Sequence, residues 1–181
     1  DYRAEAAFFH IQSPRMPEMP VPGSTAPVPP RPNLVLTSCI ARGEATLVRA
    51  TEGLPFNLEF TQGLLATTER MVELGQLAED VPQEIVKINL RHVTAEMELG
   101  LCRATMRDAD ARLPQLSINA ENCLLDHNDS LPLIEHVGIR DVAGTMSQAF
   151  VLSGQLNAFA RTNVLWRLEP RGGDRERRAR G

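Results

Sequence analysis

Arg91, Glu59 and Glu121 are the residues whose types and places could do chemistry together. A guanidinium flanked by carboxylates can supply a general base and a stabiliser for a developing oxyanion. The same three residues can also form a plain ion pair between neighbouring strands, and the regular spacing of charges along the chain favours that reading over catalysis. Asp126-His127-Asn128-Asp129-Ser130 carries oxygen and imidazole ligands, yet Asp, Asn and Ser followed by Leu131-Pro132 is turn chemistry. The turn is the expected role. Cys39, Cys102 and Cys123 stand 63 and 21 residues apart, with no CxxC pair and no nearby cluster of Cys and His. Neither a disulfide framework nor a zinc site is expected. No HRD loop, DFG or glycine-rich nucleotide loop occurs, so any kinase activity of a parent protein would lie outside this segment; no cofactor and no metal is expected.

Composition bounds what could position such groups. The 181 residues are one domain's length, 43% hydrophobic and 23% charged, with a net charge of -4. Most of the basic excess falls in the last dozen residues, which argues against nucleic-acid binding by the body of the domain. Aromatics are only 4%, so Leu, Ile, Val and Met must fill the core and platforms for stacking bases or sugars are scarce. No apolar run is long enough for a membrane-spanning helix. The chain opens on Asp1 with structured-looking sequence from Tyr2 to Ile11, and reads as a segment of something longer. Residues 13–32 hold eight of the 13 prolines and read as an extended, mobile linker. Residues 170–181, rich in Arg and Gly, read as a disordered basic tail. That leaves residues 33–169 as the folded body.

The body repeats. Leu36, Phe60, Leu90, Ala120 and Leu152 are anchors 24, 30, 30 and 32 residues apart, which gives five units. Two residues before them stand Leu34, Leu58, Ile88, Ile118 and Phe150, an alternation of period two that denotes a strand. A short corner follows. His92 falls there, in line with Ser38, Gln62, Asn122 and Gly154, where a polar side chain can satisfy corner backbone. Later in each unit comes a tetrad, LVRA, MVEL, LCRA, LIEH or LWRL, beginning eleven residues after the first three anchors and thirteen after the last two. Its third position is Arg49, Glu73, Arg103, Glu135 and Arg167, charges that alternate strictly in sign. Strands stacked about 4.8 Å apart would place each charge beside its opposite on the next unit. The extra residues of the longer units fall in Gln76–Glu84, Thr105–Gln115 and Gly138–Ser147, after the tetrads. A helix over Leu64–Ala78 is the alternative to strands there, and the column alignment outweighs it.

Repeats of this length, each with short strands at fixed offsets, imply an all-β chain wound as a parallel β-solenoid of about five coils. The stretches NLVLTSCIARGEATLVRA, INLRHVTAEMELGLCRA, LSINAENCLLDHNDSLPLIEH and GQLNAFARTNVLWRLEP resemble right-handed parallel β-helix domains of the pectin-lyase-like type. More narrowly, they resemble β-helix segments of large bacterial proteins, some of which also carry a serine/threonine protein kinase domain. For the enzymes of that superfamily the resemblance implies clustered carboxylates on an outer face, with an Arg base and calcium in the lyases. Here the matching outer positions are Glu59, Asn89 and Asn119, beside Thr61, Arg91 and Glu121. The aspartate pairs, Gly-His-Gly and Arg-x-Lys elements typical of polygalacturonases are missing.

Within this frame His136 aligns with Ala50, Leu74, Ala104 and Leu168 and is expected to be a partly buried structural histidine. Cys39 and Cys123 share a column but lie three coils apart, too far to bridge, and are read as small buried apolar residues. Trp166 is expected to plug the C-terminal end of the core. The expectation for the whole is a non-catalytic structural or recognition module of a larger bacterial protein, with protein or carbohydrate as partner and neither nucleic acid nor membrane. A carbohydrate-active lyase or hydrolase, or a carbohydrate-binding β-helix, is the alternative.

Overall fold

Alternating apolar residues make strands, and a strand with one apolar side must lay that side on a core. The computed structural model describes residues 6–12, 31–52, 54–77, 85–108, 112–140, 144 and 150–171, and shows how the repeats meet this demand. Each unit runs through three faces. The first face holds β2 (Asn33–Thr37), the leading half of β5 (Asn57–Thr67), the leading half of β7 (Ile85–Met97), β9 (Gln115–Glu121) and β12 (Phe150–Gln155). The second holds β3 (Ile40–Gly43), the trailing halves of β5 and β7, β10 (Leu124–His127) and β13 (Ala158–Ala160). The third holds β1 (Ala7–Ile11), β4 (Thr46–Ala50), β6 (Val72–Leu74), β8 (Cys102–Thr105), β11 (Pro132–Ile139) and β14 (Val164–Pro170). Successive units pair parallel on every face, which makes the chain a parallel β-solenoid. The three units anchored by Phe60, Leu90 and Ala120 have neighbours on both sides on every face. The fully enclosed part is thus about three turns deep, shallower than the five coils expected.

The inward columns follow the anchors. Leu34, Leu58, Ile88 and Ile118 are in register, as are Leu36, Phe60, Leu90 and Ala120. Val48, Val72, Cys102 and Ile134 line the third face from within, fully buried. Over residues 64–77, the described part of the alternative helix, the chain forms the end of β5 and then β6.

The last unit differs from the expected alignment by two residues on the first two faces. Leu152, not Phe150, continues the Ile118 column, and Gly154 sits opposite Ala120. The reason is steric. A Cβ on Gly154, whose φ is 140°, would lie 1.7 Å from the Ala120 carbonyl oxygen, so only glycine fits there. The tetrad of this unit therefore begins eleven residues after its true anchor, as in the first three units, and only the fourth unit is longer, through its Asn128–Leu131 turn.

The corner between the first and second faces is set by one left-handed residue per unit: Ser38, Gln62, His92, Asn122 and Leu156, with φ between 51° and 55°. Leu156 replaces the expected Gly154 in this column. Left-handed backbone is costly for residues with a Cβ, and the regular corner forces it on all five. Among the described residues their side chains do not satisfy the corner backbone as expected. Ser38 instead donates to Gln62 Oε1 at 3.3 Å. Asn157 serves the backbone, accepting from Cys123 N–H at 3.0 Å and donating to the Ala120 carbonyl at 2.7 Å. The loops between the third face of one unit and the first face of the next contain residues 78–84, 109–111, 141–143 and 145–149, which lie outside the described residues with the proline-rich 13–30 and the tail 172–181.

Candidate functional site

Outward residues of the first face carry the three sequence candidates. Thr61, Arg91 and Glu121 fall in one register column, and Glu59, Asn89 and Asn119 in the next. Arg91 pairs with Glu121 at 3.2 Å, with the guanidinium largely in solvent. Glu59 lies one strand back and one column over, level with Asn89. What the backbone brings together is a rung-to-rung pair with an acid in the neighbouring column.

The alternating column on the third face is in register throughout: Arg49 with Glu73, Glu73 with Arg103, Arg103 with Glu135, Glu135 with Arg167. Contacts within it are uneven. Arg49 holds Glu73 through Nη2 at 2.7 Å and donates a hydrogen bond from Nε at 2.8 Å. Glu135, almost wholly buried, collects Arg103 Nε at 3.4 Å and Arg167 Nη1 at 4.0 Å. A third guanidinium reaches it from outside the column: buried Arg70 places Nη2 3.2 Å from Glu135 and donates from Nη1 to the Leu99 carbonyl at 2.6 Å. Burial pushes the Arg70 pKa down, partly opposed by Glu135. Burial also raises Glu69, and the like charge of Glu73 adds to the rise. Sequence reasoning missed Arg70. Its signal was present, since Thr46, Arg70, Gly100, Pro132 and Val164 precede the five tetrads and only Arg70 among them is charged.

At the C-terminal end His136 is 1% exposed, more deeply buried than expected. Trp166 Nε1 donates to His136 Nδ1 at 2.9 Å, which places the ring proton on Nε2, a buried atom with no partner among the described residues. Burial lowers this histidine's pKa to about 4. Trp166 meets Phe150 edge to face at 4.9 Å, the plug foreseen. Cys102 is inert, its thiol pushed up to about 12 by burial. Cys123 is buried, while Cys39 is only partly so.

In the 126–130 segment Asp126 and His127 end β10, and the turn expected there is made by Asn128–Ser130. Asn128 Oδ1 accepts from Ser130 N–H at 3.0 Å and from Ser130 Oγ at 2.8 Å, and the Asn128 carbonyl accepts from Leu131 N–H at 3.1 Å. Asp126 is clasped by Arg161 through two bonds of 2.7 and 2.6 Å, which holds its carboxyl below the usual range. Asn128, Asp129 and Arg161 border an open groove of about 810 Å³ where the second face turns into the third. It crosses the units lengthwise past Arg42, Glu44, Glu96, Glu98, Asp129 and Arg161, with no aromatic among the described residues of its lining. Such a groove can hold an extended polar ligand by hydrogen bonds and charge. It offers no nucleophile poised beside a base. Among the described residues no helix is long and apolar enough to cross a membrane.

Compared with known proteins, the chain matches no family model, no curated protein and no solved structure.

Proposed function

We propose that this β-solenoid is a non-catalytic structural or recognition module. The observation that supports this most is the engagement of its outward charges between rungs, with Arg91 held by Glu121 as Arg49 is held by Glu73. A guanidinium already committed to a neighbouring carboxylate is a poor base and a poor oxyanion site. The chain is expected to show no turnover of polygalacturonate or other acidic glycans, with or without calcium. A rate that disappears in Arg91→Ala would overturn the reading.

The likeness of the repeats to β-helix segments of large bacterial proteins, some bearing a kinase domain, supports a place as one module within a longer polypeptide. The groove favours a second reading, binding of an extended neutral glycan. Its lining carries four carboxylates against two guanidiniums, which disfavours polyanionic chains. Titration with neutral oligosaccharides, followed through changes in Arg42→Ala and Glu98→Ala, tests it: unchanged binding in both variants excludes the groove.

A further inference from the structure

The second face presents an apolar column to solvent. Ile40, Leu64, Thr94, Leu124 and Ala158 follow one another in register along it, all on the outer side. Ile40 is 75%, Leu64 39% and Leu124 42% exposed. Leu64, Thr94 and Leu124 each have a paired strand on both sides, so their exposure belongs to the face and not to an edge. The first face has no such column. Val35 and Val151 stand singly there, beside Glu59 and Ser117. Single apolar residues on a surface are ordinary, whereas a contiguous strip of them marks a place of interaction.

Two residues further along each strand, about 7 Å away on the same side, runs the column Arg42, Ala66, Glu96 and Asp126, whose first three members line the groove. Strip and groove are one continuous surface. Its charge is one-sided: Glu44, Glu96, Glu98 and Asp129 line the groove, and Arg161 is already bonded to Asp126, which leaves Arg42 to oppose them among the described residues. An occupant must therefore offer apolar side chains at the spacing of the rungs and cations along one flank. An extended strand repeats its same-side residues about every 6.6 Å, too far for rungs about 4.8 Å apart. A helix fits better, since three turns, about 16 Å, nearly match the three steps from Ile40 to Leu124, about 14 Å. The strip, about 19 Å long and one or two side chains wide, falls far short of the roughly 800 Å² per partner of a stable contact between folded domains, which disfavours a second copy of this chain. Building on the reading of the chain as a recognition module, we propose that the second face and its groove dock a basic amphipathic helix of a partner protein, with apolar residues on the strip and Lys or Arg in the groove.

Two fluorescently labelled peptides of about four helical turns test this against the 181-residue chain. Both carry leucine once per turn, and one has lysine, the other glutamate, along one flank of the leucines. Anisotropy should show the lysine peptide bound and the glutamate peptide free, and circular dichroism should show helix gained on binding. Leu64→Gln with Leu124→Gln should weaken the lysine peptide about tenfold at any salt. Glu96→Gln with Glu98→Gln should weaken it about tenfold at low salt, a loss that shrinks as salt is added. All four side chains are exposed, so denaturation midpoints should hold. A chain that binds neither peptide, or both equally, overturns the proposal, and so does binding indifferent to either pair of substitutions. Neutral oligosaccharides bound through Glu98, with the lysine peptide left free, would overturn it in favour of the glycan. Turnover of polygalacturonate that depends on Arg91, on the first face, would instead overturn the non-catalytic reading and leave the peptide result as measured.

Discussion

The two ends of the third face carry similar sequence and meet solvent differently. At the N-terminal end Leu47 and Val48 are wholly buried, because β1 lies parallel along β4, with Phe9 level with Val48 and Ile11 level with Ala50. At the C-terminal end the equivalent Leu165 is half-exposed and Trp166 only partly buried, with no strand beyond β14 among the described residues. The comparison teaches that an end rung does not bury itself. Its apolar residues are covered only when another strand is laid alongside, and the backbone groups of its edge stay open until then.

The largest effect that tests this contrast comes from placing a charge in one column at two depths. Ile88→Asp puts an unpaired carboxylate between Leu58 and Ile118 and should cost about 4 kcal/mol or more. Leu152→Asp, in the same column on the end rung, should cost less than half of that. Denaturant midpoints that fall equally would mean that the end is as closed as the middle. Removing residues 1–12 takes β1 from its place along Leu47 and Val48, and the loss should be of order 3 kcal/mol. An unchanged midpoint would show that β1 contributes nothing to closing that end.

His136 makes the C-terminal end sensitive to acid. Its folded pKa, about 4, lies below the ordinary histidine value, so the unfolded chain binds the proton more readily. The stability this gives is complete above about pH 6.5 and falls as pH drops towards 4, by about 3 kcal/mol in all. Urea titrations followed by Trp166 emission should show that slope, and His136→Phe should remove the part that exceeds ordinary carboxylate titration. Matching slopes in the two proteins would mean that the histidine is not buried neutral. The smallest effect belongs to the charge column. Arg103→Glu should cost about 1 to 2 kcal/mol at low salt, more than Arg103→Ala. The gap should narrow with salt; equal and salt-independent costs would make the alternation of sign irrelevant to stability.

Much of this architecture was legible in the residues. Period two and fixed offsets place Leu58, Ile88 and Ile118 in one inward column, and the sign alternation at Arg49, Glu73, Arg103, Glu135 and Arg167 predicts a register that pairing on the third face reproduces. Legibility failed where backbone geometry overrode side-chain type. Leu152 reads as an anchor because it is apolar, but the close approach at Ala120 admits only Gly154. The corner column reads as polar until Leu156 shows that its members share a left-handed φ. Of the candidate site, the Arg91–Glu121 pair follows from register, whereas Arg70 does not, since it reaches Glu135 across two rungs and 65 residues of chain.

The sequence by itself determined that this chain is built of stacked strands, which residues face inward and which charges meet, because each is a local periodicity repeated at fixed spacing. Only the tertiary structure decided that β1 returns to close one end, that three guanidiniums converge on Glu135, and that a groove runs along the corner past Glu96 and Arg161. The physical reason is the range of the interactions. Alternation and rung pairing are set by neighbours one coil away, whereas end closure, shared buried charge and grooves arise where segments remote in sequence occupy one space, and no spacing records that.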